Sequence, residues 1–183
     1  MGSWARKSTV CLLAALVLAA LTIFAGCGAS NETTDIFEGE PVELGNLQWN
    51  VIFSRFLNPY DTEDKAYLVG QPKPPANAAY LGVFVKVKNK DKDGPQSLPP
   101  SLTIEDTQKE VFEAIPSDSE FALHLGTDIG PEDEVPALDS TPATGPIQGS
   151  LVLFLIPDKS SENRPLELVI PGEGGPATVE LDL

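Results

Sequence analysis

Short segments in which every second residue is apolar recur along the chain, and clusters of proline, glycine and polar residues separate them. The clearest segment spans residues 81–87, and it closes at the turn-forming residues 89–94. Successive side chains point to opposite faces of a strand, so this period of two predicts strands that are buried on one face. No long helical pattern follows the N-terminal segment. The pattern therefore predicts an all-β fold.

The same alternation places Leu47, Trp49, Val51 and Phe53 on one face of an earlier strand. Residues 102–112 have the pattern of a hairpin, whereas residues 151–156 are apolar throughout and predict a strand that is covered on both faces. About seven short strands in a single domain predict an immunoglobulin-like antiparallel β-sandwich, with a small barrel as the alternative. The predicted core residues are Trp49, Val83, Val85, Phe112, Leu153 and Leu168.

Three segments between the strands lack this alternation. Residues 57–79 form a proline-rich connection that cannot be a central strand, because proline removes a backbone donor. Residues 127–146 are polar, contain four prolines and predict a mobile loop or ribbon. Ser117 and Glu120 have the spacing of a capping box, which predicts one short helix that ends at Gly126.

The N-terminal residues have the pattern of a bacterial export signal. A basic pair at residues 6 and 7 precedes an apolar run over residues 10–24, shorter than the roughly 20 residues that cross a bilayer. The run ends in Phe24-Ala25-Gly26-Cys27, which resembles the lipobox of bacterial lipoproteins. This resemblance implies cleavage between Gly26 and Cys27 and diacylglycerol on the Cys27 sulfur. An uncleaved anchor helix is the alternative.

These features predict three parts: a signal peptide over residues 1–26, a flexible tether over residues 27–41, and the β-sandwich domain over residues 42–183. Because Cys11 lies in the signal, the mature chain keeps Cys27 alone and forms no internal disulfide, so its stability must come from its core. We expect the domain on the extracytoplasmic face of the cell membrane, held there by the N-terminal lipid.

The charge of the chain excludes some partners. It carries 27 acidic and 12 basic residues, a formal net charge of −15 at pH 7. Such a protein repels the phosphates of nucleic acids, so we expect no DNA or RNA partner. The acidic residues accumulate from Glu110 to Asp139, where no lysine or arginine interrupts them. Within this segment, Asp128, Glu132, Asp133 and Glu134 are candidate ligands for a divalent cation, and a solvated acidic surface is the alternative.

The sequence lacks the residue sets that most catalytic mechanisms require. His124 is the only histidine, so the chain cannot supply the ligand set of a zinc site, and no Gly-x-Ser-x-Gly motif marks a nucleophile. The motif from Asn89 to Gly94 matches the first half of a calcium-binding EF-hand loop, but Pro100 occupies the position of the essential glutamate. A pair of carboxylates could still hydrolyse a glycoside, although the sequence nominates no pair. No cofactor is expected.

Residues 80–89, 102–106 and 149–154 resemble an uncharacterised family of immunoglobulin-like bacterial lipoproteins. That family is similar in fold to the immunoprotective extracellular protein of mycobacteria. The resemblance covers residues 42–183, implies the sandwich and supplies no catalytic residues. The proline-rich connection before Tyr80 and the acidic segment before Gly149 look like additions to the family pattern, where the specificity of this chain would lie.

The sequence therefore favours a membrane-anchored, non-enzymatic module that binds an envelope protein or an extracellular ligand through its loops. One alternative is a cation-dependent adhesion or sensing module that uses the acidic residues 128–139. The other is a carboxylate-based hydrolase.

Overall fold

Twelve strands and three short helical segments make up the regular structure of residues 33–183, the part of the chain that this computed structural model describes. The predicted signal peptide, Gly26 and Cys27 lie outside the described residues. The strands are β1 Thr33–Phe37, β2 Pro41–Leu44, β3 Leu47–Leu57, β4 Ala78–Asn89, β5 Gln96–Ser97, β6 Thr103–Glu105, β7 Val111–Glu113, β8 Asp128–Ile129, β9 Glu134–Val135, β10 Ser150–Pro157, β11 Glu167–Ile170 and β12 Ala177–Glu180. The helical segments are a 3₁₀ turn at Asp64–Ala66, α1 Thr141–Thr144 and α2 Asp158–Ser161.

Two sheets pack face to face. Sheet A has the order β1-β12-β11-β6-β7, and sheet B has the order β10-β4-β3-β2, with β9 paired to the end of β4. Neighbouring strands are antiparallel except for β1, which runs parallel to β12. The predicted β-sandwich is thus confirmed. In the part of the chain described, no helix has the length and hydrophobicity of a membrane span.

The space between the sheets holds the inner core. Trp49, Val83 and Val85 from sheet B meet Ile104 and Leu168 from sheet A there, and each is at most 1% exposed. This arrangement confirms four of the six predicted core residues. Phe112 is half-buried and packs at the edge of the inner core.

A second hydrophobic cluster, the outer core, covers the opposite face of sheet B. Leu153, the remaining predicted core residue, belongs to it, because β10 presents alternate side chains to both clusters. The prediction that residues 151–156 are covered on both faces is therefore confirmed. Two connections form the roof over this face: residues 58–77 and residues 115–123.

A β-bulge in β3 reverses the inward face predicted for its second half. Val51 pairs with Val85 but Phe53 pairs with Phe84, so one extra residue lies between them and the alternation shifts by one. Phe53, predicted to point inward, is 41% exposed, while Ser54 is buried. Glu38 makes the burial of Ser54 favourable, because its carboxylate accepts hydrogen bonds from the Ser54 backbone N–H (2.8 Å) and hydroxyl (2.6 Å).

One prediction about the connections was wrong. Residues 117–126 form no helix, because the Phe121 carbonyl and the Leu123 N–H bond to Leu151 on β10 instead of closing helical turns. Residues 127–146, predicted as a mobile loop or ribbon, contain two short strands, because β8 pairs with β5 and β9 pairs with β4. The buried Asn89 side chain also donates to the Gly130 carbonyl.

The domain also begins earlier than predicted. Residues 33–37 were expected to lie in the tether but form β1, whose backbone pairs with β12 at the edge of sheet A. Ile36 joins the inner core, so the hydrophobic burial of β1 explains why this segment is part of the sandwich. Residues 27–32 of the tether predicted for residues 27–41 lie outside the described residues.

Candidate functional site

The loop of residues 58–77 joins β3 to β4 and is held by one buried carboxylate. Asp64 is 1% exposed and accepts the Asn58 backbone N–H at 2.7 Å. It also accepts both terminal nitrogens of Arg55, which projects from the outer face of β3. A buried charge requires such compensation, so these contacts fix the start of the loop against the sheet.

Further contacts join this loop to residues 115–121. Gln71 Nε2 donates to the Pro116 carbonyl at 2.7 Å, and the Ser119 hydroxyl donates to the Ala66 carbonyl at 2.7 Å. The Tyr67 ring meets the Phe84 and Phe121 rings edge-on, with centroid distances of 5.0 and 4.8 Å. The roof of the outer core is therefore one connected structure, although its two parts are distant in sequence.

A groove of about 300 Å³ opens beside this roof. We call it the tyrosine–lysine groove, and its lining residues are Pro59, Tyr60, Lys65, Leu68, Gln71, Pro72, Lys73 and Tyr80. The Tyr60 ring is 70% exposed, while Tyr80 is buried and donates its hydroxyl to the Pro72 carbonyl at 2.8 Å. The floor and one wall are thus fixed, and one aromatic face is open to solvent.

Two lysines give the groove its charge. Lys73 Nζ lies over the Tyr60 ring, 5.7 Å from its centroid, within the range of a cation–π contact. A side-chain hydrogen bond with Tyr60 raises the pKa of Lys73. Burial raises the pKa of Tyr80, so its hydroxyl stays a neutral donor.

The predicted cation ligands surround a different and more open concavity. Asp128, Glu132, Asp133 and Glu134 line it together with Lys88. Asp128 accepts the Ser97 hydroxyl at 2.6 Å, which ties it to the β5–β8 pair. Within residues 33–183, no group of three or more His, Cys, Asp or Glu side chains gathers as metal ligands would. The four residues thus share one concavity, and their role as cation ligands stays a prediction.

The side chains that could support catalysis are also dispersed. His124 is exposed on the wall of a groove along β10. Asp64 and Asp106 are the two buried carboxylates of the described residues, and they bind different partners. Neither carboxylate lines the tyrosine–lysine groove, the groove along β10 or the concavity of the predicted cation ligands. Their contacts give both a structural role.

The sequence does not predict the residues of the tyrosine–lysine groove, although the resemblance places the specificity of the chain in the proline-rich connection. A signal was available, because all three tyrosines of the chain lie within residues 60–80. Their convergence depends on the fold of the loop, which periodicity does not report.

Comparison with known proteins gives the fold alone. No family model matches the chain, and a search of curated proteins finds no match. Among solved structures, the chain is similar to an uncharacterised β-sandwich protein from Clostridium difficile 630, with a TM-score of 0.51 and 12% identity. That match covers 82% of this chain and 95% of the other. It is also similar to the YjhA protein of Bacillus subtilis, with a TM-score of 0.50, 14% identity, and coverage of 80% and 99% respectively. The chain is a β-sandwich protein.

Proposed function

We propose that the chain is a lipoprotein of the outer face of a bacterial membrane, and that its immunoglobulin-like sandwich is a non-enzymatic binding module. The tyrosine–lysine groove is its ligand site. The observation that carries this proposal is a concave surface with an open aromatic face and two cations on a loop that is fixed on several sides. Such fixed geometry lowers the entropic cost of binding.

The support for the anchor comes from the sequence and from the start of the sandwich. The export signal and the Ala25-Gly26-Cys27 motif support a lipid on Cys27, and β1 begins at Thr33. A chain of six residues reaches at most about 20 Å. A lipid on Cys27 therefore keeps the start of β1 close to the headgroups.

The strand order supports a groove that faces away from the membrane in the proposed anchored state. Thr33 pairs with Ala177, at the end of the sandwich where Gly172 contacts Leu44. From that end β3 runs through 11 residues to Leu57, where the loop of the groove begins. A strand of this length spans roughly 34 Å. The anchored module would thus present the groove to the exterior.

The anchor is tested by the intact mass of protein extracted from bacterial membranes. The wild type is expected to begin at Cys27 with diacylglycerol attached, and Cys27→Ala to carry no lipid. A mature chain that starts elsewhere, or carries no lipid, would overturn this part of the proposal.

Binding is tested by sedimentation of the purified protein with isolated cell-wall material. A double variant, Tyr60→Ala with Lys73→Gln, is expected to lose most of the wild-type binding. Lys92→Gln removes one charge from an exposed turn outside the groove and is the matched control. If the double variant binds as the wild type does, the groove is not the ligand site.

A further inference from the structure

We propose that the tyrosine–lysine groove takes a saccharide that carries a single carboxylate, of the uronic acid type. This inference rests on the proposed function of the groove and adds the chemical class of its ligand. Three features carry it: the sign of the charge in the groove, the charge of the whole chain, and the mixture of aromatic and hydrogen-bonding groups.

The groove differs in charge from three other concavities of the described residues. Its lining contains two lysines and no carboxylate. The concavity beside β9 has four carboxylates and one lysine, and the one beside Phe37 has three acidic side chains and one arginine. The groove along β10 has only His124 as a titratable side chain. An anionic ligand is therefore favoured at the tyrosine–lysine groove.

None of the neighbouring acids lines the groove. Asp64 is paired with Arg55 beneath the loop. Asp61 and Glu63 are exposed on the same loop but do not line the groove. Lys65 and Lys73 are exposed, so both ammonium groups can reach a ligand.

The charge of the whole chain limits how many negative charges the ligand can carry. A formal net charge of −15 repels a dense polyanion, and the repulsion is strong at separations below the screening length of about 8 Å in physiological salt. Two exposed lysines cannot offset that repulsion for a ligand with several adjacent phosphates. A ligand with one isolated negative charge is attracted by Lys65 and Lys73 and is repelled less by the acidic chain as a whole.

The remaining groups suit a polyhydroxylated ring. The open Tyr60 face can pack against the apolar face of a pyranose, next to the rigid Pro59 and Pro72. The Tyr60 hydroxyl and the Gln71 amide supply hydrogen-bonding groups beside that face. A proline-rich peptide would use the aromatic face but would leave both lysines without an anionic partner.

The test is saturation-transfer NMR of sugars with the purified full-length protein in detergent. The probes are D-glucuronate, its neutral counterpart D-glucose, and a short oligogalacturonate. We expect transfer to D-glucuronate, weaker transfer to the oligomer because it carries several carboxylates, and at least about tenfold weaker binding of D-glucose than of D-glucuronate. Transfer is expected to decline when concentrated NaCl is added, because the attracting lysines are exposed.

Variants locate the binding. Lys65→Gln and Lys73→Gln should each weaken D-glucuronate binding by roughly fivefold or more, whereas Lys92→Gln should leave it unchanged. Tyr60→Phe keeps the aromatic face and should retain more binding than Tyr60→Ala. Circular dichroism confirms that each variant is folded.

The outcomes separate this inference from the proposed function. The carboxylate preference would be overturned if D-glucose and D-glucuronate bind equally. It would also be overturned if Lys65→Gln and Lys73→Gln leave D-glucuronate binding unchanged. If no sugar binds while Tyr60→Ala with Lys73→Gln still abolishes cell-wall sedimentation, the ligand class is wrong and the groove remains the site. If cell-wall binding is also independent of the groove, both are wrong.

Discussion

The inner and outer cores bury similar side chains but are built in different ways. The inner core lies between two sheets, and regular alternation along the strands supplies its residues. The outer core lies between sheet B and two irregular connections, and polar contacts such as Arg55–Asp64 and Gln71–Pro116 join them. Strands thus supply a stable platform, while the connections above it shape the tyrosine–lysine groove. The comparison predicts that damage to the inner core unfolds the domain, whereas damage to the outer core opens the groove.

The largest effect is expected from Trp49→Ala in the inner core. Trp49 is fully buried, and its removal leaves a large cavity between the sheets. We expect a loss of about 3–5 kcal/mol in the free energy of unfolding. Urea unfolding followed by circular dichroism measures this loss. Val111→Ala, at a site 55% exposed, is the control and should change stability by less than about 0.5 kcal/mol.

Phe121→Ala tests the outer core in the same way. Phe121 is 5% exposed and contacts the Tyr67 ring, so its loss should cost about 2–4 kcal/mol locally. We expect amide exchange to accelerate first in residues 58–77, while residues 81–87 keep their protection. A uniform loss of protection in both segments would show that the two cores unfold as one unit.

The inner core was largely predictable from the sequence, and the outer core was not. Alternation in residues 81–87 predicted Val83 and Val85, because a strand presents every second side chain to the sheet on which it packs. The bulge in β3 escaped detection because Phe53 and Phe56 make either register look amphipathic. The correct register buries Ser54, which is favourable only because Glu38 is a partner from outside the strand.

The groove was unpredictable for the same physical reason. Its residues come from a proline-rich connection whose conformation depends on contacts with β3 and residues 115–121. Local sequence reports which residues avoid a central strand, but not where the excluded segment packs. The clustering of tyrosines was the part of this information that the sequence contained.

Asp64→Asn asks how far the outer core depends on its buried ion pair. The amide can still accept the Asn58 N–H, but the Arg55 charge loses its partner. Because Arg55 remains 33% exposed, we expect a loss of about 2 kcal/mol, less than for a fully buried pair. The Lys90–Glu43 pair is largely exposed, so Glu43→Gln should cost less than about 1 kcal/mol. Equal losses in urea unfolding would contradict a special role for Asp64.

Gly70→Ala should weaken the contact between the two connections by about 1–2 kcal/mol. Gly70 has a φ of +77°, and a methyl group there would overlap the Asp118 carboxylate. Gly39 has a φ of +92° with no atom near the position of a Cβ, so Gly39→Ala carries the backbone strain without the overlap. If Gly70→Ala lowers the thermal stability more than Gly39→Ala does, the difference measures the effect of the overlap with Asp118. If the two losses are equal, the overlap is relieved by movement of Asp118.

Asp106 is the second buried carboxylate, at the edge of the sandwich. We expect its contribution to the free energy of unfolding to change only at acid pH. Burial opposes its ionisation, but hydrogen bonds from Asn163, from the Glu110 and Gln108 N–H groups and from Ser160 outweigh burial and lower its pKa. A lowered pKa in the folded state stabilises the fold above the unfolded pKa of about 3.9. This contribution is lost as the pH falls through the folded value.

Comparison with a variant isolates this effect from the protonation of the other acidic residues. The stability difference between the wild type and Asp106→Asn should be constant above about pH 5 and should narrow as the pH falls below about 4. Asn163→Ala removes one donor, 3.1 Å from Asp106 Oδ2. In this background the stability difference between Asp106 and its Asn variant should depend less on pH. Urea unfolding between about pH 3 and 7 measures both differences. A difference that widens in acid would mean that desolvation, rather than hydrogen bonding, determines the ionisation of Asp106.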